Sequence, residues 1–353
     1  MMKRKLFAWA LPLFLALLGL GVMLFPPEGL LEKEKRYPVD SPSFSLQSGV
    51  MAAETEAWAA DRLPLRDLWT GVNGLWVRLT GQGIDEEILV SKGTLTERPI
   101  VPDTQRIQKN LDALASVSAS VGLECLLVAP PSAGYTRSGL PLPYPDDEIY
   151  SVCLSAPSLR TLDLRERFLQ APDPFYHTDP HWNAQGAYLA YTAVLEAWGM
   201  EALSQDAFTV TVADDFYGSC WTRAMLWLLP PERLEMWQAG ALTVTLDGGE
   251  GHDGPFYPGH LHTMDAYSVF LDGNHGLTRI HNPSSKASGR LLVVKDSFGN
   301  ALAPLLAAHF TETVLIDPRA YRDSILDLGR FDRFAAVFSL SSLNSFTSLA
   351  HLH

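Results

Sequence analysis

Apolar and polar positions along the chain change period three times. Leu6–Phe25 is an uncharged, mostly apolar run of twenty residues. Residues 26–50 are rich in Pro and Ser and carry the charged patch Glu32-Lys33-Glu34-Lys35-Arg36, which reads as a linker. From Met51 to about Leu79 the pattern is helical, interrupted at Pro64. Trp58 precedes the break. Leu65, Leu68, Trp69, Val72, Trp76 and Leu79 follow it at spacings of three and four, which predicts a core-facing stripe rather than a cofactor box.

From about residue 87 onward, strands and helices alternate. Ile88-Leu89-Val90 reads as a short strand, and Thr104–Val121 as a helix with Ile107, Leu111 and Leu114 on one face. Leu123–Ala129 is an apolar run ending at Pro130-Pro131, as expected of a buried parallel strand leading into a loop. Leu291–Lys295 repeats that pattern before Asp296-Ser297, and Ala301–Phe310 follows as a helix. Val314–Ile316 and Ala335–Phe338 are further buried strands. The alternation predicts an α/β sandwich around a mostly parallel sheet, with ligands outside the carboxyl ends of the strands.

Charge adds a direction to the N-terminal run. Lys3, Arg4 and Lys5 precede it, and basic residues on that side favour a cytoplasmic N-terminus. Twenty residues at about 1.5 Å each would span a hydrocarbon core of roughly 30 Å. Pro26-Pro27-Glu28 follows with no A-x-A-like site, so an uncleaved transmembrane anchor is expected over a cleaved signal peptide. The expected organisation is residues 1–25 as cytoplasmic tip and anchor, 26–50 as juxtamembrane linker, and 51–353 as one extracytoplasmic domain. Without the three basic residues the chain keeps 24 Lys+Arg against 40 Asp+Glu, a formal charge of −16. Nucleic acid requires a basic footprint and is excluded as a partner; a neutral glycan is compatible.

The three cysteines, Cys125, Cys153 and Cys220, form no C-x-x-C pair and stand at no metal-ligand spacing from a histidine. They read as small buried hydrophobes.

Two segments could carry chemistry. In Leu291–Asn300 a serine follows an apolar strand and precedes Gly299-Asn300 and a helix. Such a serine is exposed at the mouth of a sheet, where N–H groups of the helix start could face a developing anion. Its plainer reading is a helix N-cap. A serine nucleophile also needs a base. Tyr176–Asn183 contains one. His181 could accept the serine proton and Asp179 could orient it, with Pro180 favouring the extended form that puts both side chains on one side. Asn183 could cap a following helix whose apolar face is Ala187, Tyr191, Val194 and Trp198. The plainer reading is a polar capping turn with a surface histidine. A third metal ligand is lacking, so no metal is expected.

Asp179-Pro180-His181-Trp182, with Tyr176 and Thr178 before it and Gly186 and Tyr188 after it, resembles the signature of the DHHW proteins. These are relatives of the alginate O-acetyltransferases within the SGNH hydrolase superfamily. Asp163-Leu164-Arg165, Phe216-Tyr217-Gly218, Phe270–Gly276, Lys295–Asn300, Pro304 and Ile316-Asp317-Pro318-Arg319 extend the likeness across roughly residues 50–345. Pro180 departs from it, standing where the family usually has a second histidine. The resemblance implies an SGNH-like α/β/α fold and a triad in the chain order Asp179, His181, Ser297. It implies acetyl chemistry on a polysaccharide by an O-acetyltransferase or acetylesterase that needs no cofactor. A transferase would receive acetyl across the membrane, from a partner such as a membrane-bound O-acyltransferase. The Ser297 N–H is the natural first oxyanion donor. Gly273 and Asn274 are candidates for the second, because their turn follows a strand-like Tyr267–Leu271. Trp182 and Arg319 are candidate substrate contacts, although Arg319 could simply pair with Asp317. The alternative is a non-catalytic cell-envelope protein that keeps the fold and binds glycan or a partner. The two readings part on whether Ser297, His181 and Asp179 converge.

Overall fold

The computed structural model describes residues 2–24, 29, 31, 37–42, 50–79, 88–91, 93–224, 226, 229–263 and 265–352, without the side chains of 2–8, 11 and 77–79. The chain divides into two compact units, one of residues 1–84 with 221–229, the other of residues 85–220 with 230–353. Residues 51–84, expected in the α/β body, therefore group with the N-terminal helix.

The first unit holds helices α1 (Met2–Leu24), α2 (Val50–Asp61) and α3 (Arg66–Leu79). The expected span Leu6–Phe25 falls on α1. Phe25, the side chains of Leu6, Phe7, Ala8 and Leu11, and most of the 26–50 linker with its charged patch lie outside the described residues. Among the described residues no helix is long and apolar enough to cross a membrane. The stripe on α3 is present but does not face a core: Leu65, Leu68, Trp69, Val72 and Trp76 are all exposed, from 43% to 71%. The periodicity identified the helix correctly. What covers its apolar face is a tertiary matter that periodicity does not encode.

The second unit begins with a hairpin of β1 (Ile88–Ser91) and β2 (Thr94–Glu97), set apart from the main sheet. Helix α4 (Thr104–Val121) starts where the Asp103 carboxylate accepts from the Arg106 N–H and ends at Gly122, whose φ of 69° suits a residue without Cβ. Then come β3 (Cys125–Val128), α5 (Ala133–Thr136), α6 (Asp146–Leu154), β4 (Arg160–Leu162), α7 (Arg165–Leu169) and α8 (Ala184–Ala197). Strands β5 (Thr209–Phe216) and β6 (Glu232–Gln238) pair with each other; α9 (Ser219–Ala224) lies between them in sequence, its residues from Trp221 on counted with the first unit. Strands β7 (Thr243–Leu246), β8 (Gly251–Asp253), β9 (Leu277–His281), β10 (Arg290–Lys295), β11 (Glu312–Ile316) and β12 (Arg333–Val337) follow, with α10 (Gly299–Leu306) and α11 (Leu340–Ser345).

Eight strands form one sheet in the order β4-β3-β12-β10-β11-β9-β7-β8. The first five are parallel and the last three antiparallel, so the sheet is mixed. The alternation in β10 explains the two-layer cover. Leu291 and Val293 join the core cluster that includes Ala187, Tyr191 and Val194 of α8, whereas Leu292 and Val294 join Ile107, Leu111 and Leu114 of α4 on the other face. From β10 the chain moves to β11 on one side and then to β12 on the other. The crevice between the carboxyl ends of β10 and β12 is therefore the topological switch point, where open α/β sheets bind ligands.

Candidate active site

Ser297 stands two residues beyond β10, in a turn that Asp296 organises. The buried Asp296 carboxylate accepts from the Phe298 N–H (2.9 Å) and, across the crevice, from the Ser339 N–H (2.8 Å). Its own N–H donates to Val337 O. The turn needs Gly299: a Cβ there would come within 2.6 Å of Lys295 Cβ. The N–H groups expected to face an anion are mostly engaged. Those of Phe298, Gly299 and Asn300 donate within the turn, to the Asp296 carboxylate, Asp296 O and Ser297 O. The Ser297 N–H makes no hydrogen bond among the described residues, which leaves it free for an oxyanion.

The Asp179–His181 loop turns back on itself. The Tyr176 N–H donates to His181 O, and the Asn183 N–H donates to Pro174 O. The Asn183 side chain caps α8 by accepting from the Gly186 N–H at 3.1 Å. Asp179 Oδ1 accepts from the His181 N–H at 3.0 Å and lies 2.5 Å from Nδ1, while His181 Nε2 lies 2.7 Å from Ser297 Oγ. The three side chains thus form a continuous line from a buried carboxylate to a partly exposed hydroxyl.

Electrostatics keep that carboxylate ionised. Burial of Asp179 alone would raise its pKa. The charge and hydrogen bonds of His181, with the N–H of Ser219, outweigh burial and hold it down at about 2. Ser219 supplies two donors to Asp179 Oδ2, its N–H at 2.8 Å and its hydroxyl at 3.0 Å. The approach requires Gly218, where a Cβ would lie 2.3 Å from Asp179 Cβ and 2.4 Å from Thr178 O. Glu232 of β6 secures the loop from below, accepting from the N–H groups of His177 and Thr178 and from the Thr178 hydroxyl. The ring of Tyr267 stacks on His181, and Phe298 packs beside it at 4.6 Å.

His181, Ser297 and Phe298 open into a cavity of about 200 Å³. Its walls include Pro130–Ala133 after β3, Thr96–Arg98 from the hairpin and Ser339–Ser342 after β12. This is small for a ligand site, the usual range being about 300–1,000 Å³, and suits a compact group on an open surface.

The other candidates are not brought to this cavity. The Gly273 N–H donates to Phe270 O and its carbonyl accepts from Asn300 Nδ2, so it is not an oxyanion donor. Asn274 Oδ1 accepts from Lys295 Nζ and Asn300 Nδ2. The segment before them is a 3₁₀ turn, Ala266–Val269, not a strand, which removes the premise for that assignment. Trp182 is fully buried between Phe168 and Phe298 and serves the core rather than a substrate. Arg319 is paired with Asp317, Nε to Oδ1 at 2.9 Å and Nη2 to Oδ2 at 2.5 Å. The three cysteines are buried and unpaired with one another. Among the described residues no group of His, Cys, Asp and Glu is placed to hold a metal.

Fold and site together define an α/β protein with a serine, a histidine and an aspartate in one hydrogen-bonded line at the switch point of its sheet. The sequence model of the DHHW protein family matches residues 167–243, the stretch that carries Asp179, His181 and Gly218. No curated protein matches the chain. Among solved structures, PatB1 of Bacillus cereus is similar at a TM-score of 0.62 and 21% identity, covering 75% of this chain and 99% of that one. A DHHW family protein from Eubacterium siraeum is similar at 0.61 and 18%, covering 76% and 97%. The O-acetyltransferase domain of Pseudomonas putida AlgJ is more distant, at 0.46 and 15% over 74% and 93%. At these identities the likeness to PatB1 and to the Eubacterium siraeum protein establishes a shared α/β fold.

Proposed function

We propose that the chain is a serine-dependent O-acetyltransferase or acetylesterase acting on a cell-surface or exported polysaccharide, with Ser297 as nucleophile, His181 as acid–base and Asp179 as its orienter. The observation that carries the reading is the unbroken contact from Asp179 through His181 to Ser297, opening on a cavity fit for a small acyl group. The acetyl and glycan parts rest on the DHHW resemblance of the sequence.

In the proposed reaction Ser297 Oγ attacks the acetyl carbonyl carbon while His181 Nε2 takes the hydroxyl proton. The oxyanion faces the Ser297 N–H. Collapse breaks the ester C–O bond, and His181 returns the proton to the departing alcohol, leaving acetyl-Ser297. A sugar hydroxyl or water then attacks that ester, losing its proton to His181, and Ser297 is regenerated as the proton passes back. A polysaccharide acetyl acceptor and an acetyl donor delivered by a membrane-bound O-acyltransferase complete the transferase version.

The same proposal places Leu6–Phe25 as the membrane anchor with the body outside. It is supported by the uncharged run and the basic residues before it. Protease added outside right-side-out membranes should degrade the body, and its protection would reverse the topology.

The test of the chemistry is incubation of the protein with a chromogenic acetyl ester, followed by mass spectrometry. Release of the chromophore with a 42-Da acetyl mark on the Ser297 peptide is expected, on the order of one per chain at most under the covalent scheme. No turnover and no acyl-peptide would leave the non-catalytic envelope protein as the better reading.

A further inference from the structure

The outward apolar face of α3 is the feature that neither the site nor the core uses. At about 100° per residue, Leu68, Trp69, Val72, Leu75 and Trp76 of α3 fall within an arc of about 120°, and Leu65 immediately precedes the helix. All six are exposed, Leu75 at 41% and Leu68 at 58%. Arg66, Asp67, Thr70, Gly71, Asn73 and Gly74 occupy other positions of the helix, whose sequence with Arg78 holds two positive residues and one negative. So ordered an apolar strip, exposed along its length, marks an interaction surface.

We infer that α3 lies flat on the surface of a neutral lipid bilayer, with this arc immersed among the headgroups and outer acyl carbons. The position of the strip within its unit names the occupant. Helix α1 is long and mostly apolar, and Leu13, Phe14, Leu15, Leu17, Leu20, Met23 and Leu24 are exposed around it. Gly21 of α1 touches Pro64, two residues before α3: a Cβ at Gly21 would lie 2.4 Å from Pro64 Cγ. Gly21 is three residues from the end of α1, about 4.5 Å along the axis. A bilayer that takes up α1 therefore reaches its polar boundary where α3 begins. The junction is braced rather than loose. The buried Asp61 carboxylate accepts from the Val39 N–H at 2.8 Å and pairs with Arg66 at 3.6 Å, and Arg62 donates to Val39 O.

Composition agrees with that location. Tryptophan favours the membrane–water boundary, and Trp69 and Trp76 lie together along one edge of the arc, where the apolar face meets the polar one. Interfacial helices that depend on anionic lipid have a polar face rich in Lys and Arg. The sequence of α3 instead holds only Arg66 and Arg78 against Asp67, a net charge of +1, so zwitterionic lipid should suffice. The inference rests on the proposed anchor for the position of the bilayer, and the test separates the two.

Because Cys125, Cys153 and Cys220 are buried, single cysteines can be placed in the full chain and spin-labelled in phosphatidylcholine vesicles. The positions are Leu68→Cys and Val72→Cys on the arc, Asp67→Cys on an exposed position about 140° from the arc's centre, and Leu17→Cys on α1. Labels at 68 and 72 should be more accessible to oxygen than to a water-soluble nickel chelate, with the preference reversed at 67. Aqueous behaviour at 68 and 72 alongside an immersed 17 would overturn the inference and leave the anchor standing. Immersion at 68 and 72 with an aqueous 17 would sustain the inference and remove the anchor. Spin–spin broadening at 68 and 72 that vanishes on dilution with unlabelled chain would assign the face to a second copy and also overturn it.

Discussion

The phenol ring of Tyr267 lies flat on the imidazole of His181, with centroids 3.8 Å apart and planes 11° from parallel. His181 is therefore held in two directions, in its plane by Asp179 and Ser297 and across its plane by Tyr267. Without the stack the imidazole could tilt off the line that joins its two partners. Tyr267→Phe should keep near-parental turnover because the ring remains. Tyr267→Ala should lower kcat by up to about 10²-fold through misplacement of the base, with a smaller change in KM. Steady-state kinetics on an acetyl ester read the split. Equal loss in both variants would assign the role to the hydroxyl instead.

Ser297→Ala should abolish acetyl-ester cleavage while leaving the melting temperature nearly unchanged, since one partly exposed hydroxyl is lost. His181→Ala should be nearly as damaging. The double variant should cost little more than either single one, because groups that act as a unit are strongly non-additive. Turnover in Ser297→Ala at the parental rate would remove the serine from the chemistry and return Asp179 and His181 to another role.

Asp179 links the site to stability. Its carboxyl titrates at about 2 when folded, against 3.8 for an ordinary aspartate. Burial opposes that depression and His181 with Ser219 produce it. A depressed carboxyl contributes stability above about pH 4 that is lost as pH falls toward 2, here on the order of 2 kcal/mol. Denaturant unfolding of the parent and Asp179→Asn should show a stability gap that narrows through this window. Activity of the variant should fall by up to about 10⁴-fold, because an amide favours the wrong imidazole tautomer. A gap that stays constant from pH 6 to pH 2.5 would contradict the assignment.

Most of the parallel half of the sheet was legible because buried strands are continuous apolar runs: Leu123–Ala129 contains β3 and Leu291–Lys295 is β10 without its first residue, whereas the three-residue β4, Arg160–Leu162, is too short and polar to show. Ser297, His181 and Asp179 were legible for a different reason. Each lies in a short segment whose residue types make sense together, and the DHHW likeness orders them. The supports were not. Ser219 and Tyr267 reach the site from positions 40 and 86 residues beyond Asp179 and His181. Nothing local marks a serine as a second donor to a carboxylate or a tyrosine as a stacking plate. The only available signal was Phe216-Tyr217-Gly218, whose glycine permits the approach of Ser219. Gly273 and Asn274 misled for the converse reason. A turn rich in Gly and Asn looks like an anion site, yet here it accepts from Asn300, and Asn274 also from Lys295.

Lys295 is the buried cation behind the nucleophile's turn, 1% exposed, donating to Asn274 Oδ1 at 3.1 Å and 3.7 Å from Asp317. Burial pushes its ammonium from 10.5 down to about 8, although Asp317 pulls the other way. Below pH 8 the folded and unfolded chains both hold the proton, and the folded state bears the full cost of a buried charge. Between about 8 and 10.5 the folded chain has released a proton that the unfolded chain still binds, so stability rises with pH; above that window the cost is gone. The whole change is on the order of 3 kcal/mol. Lys295→Met removes the charge and keeps most of the volume, leaving Asp317 paired with Arg319. Relative to the parent, the variant should be most stable at pH 7 and lose that advantage by pH 10.5, as read by denaturant unfolding at both values. A parent–variant difference independent of pH over this range would show that the ammonium is not strained by its burial.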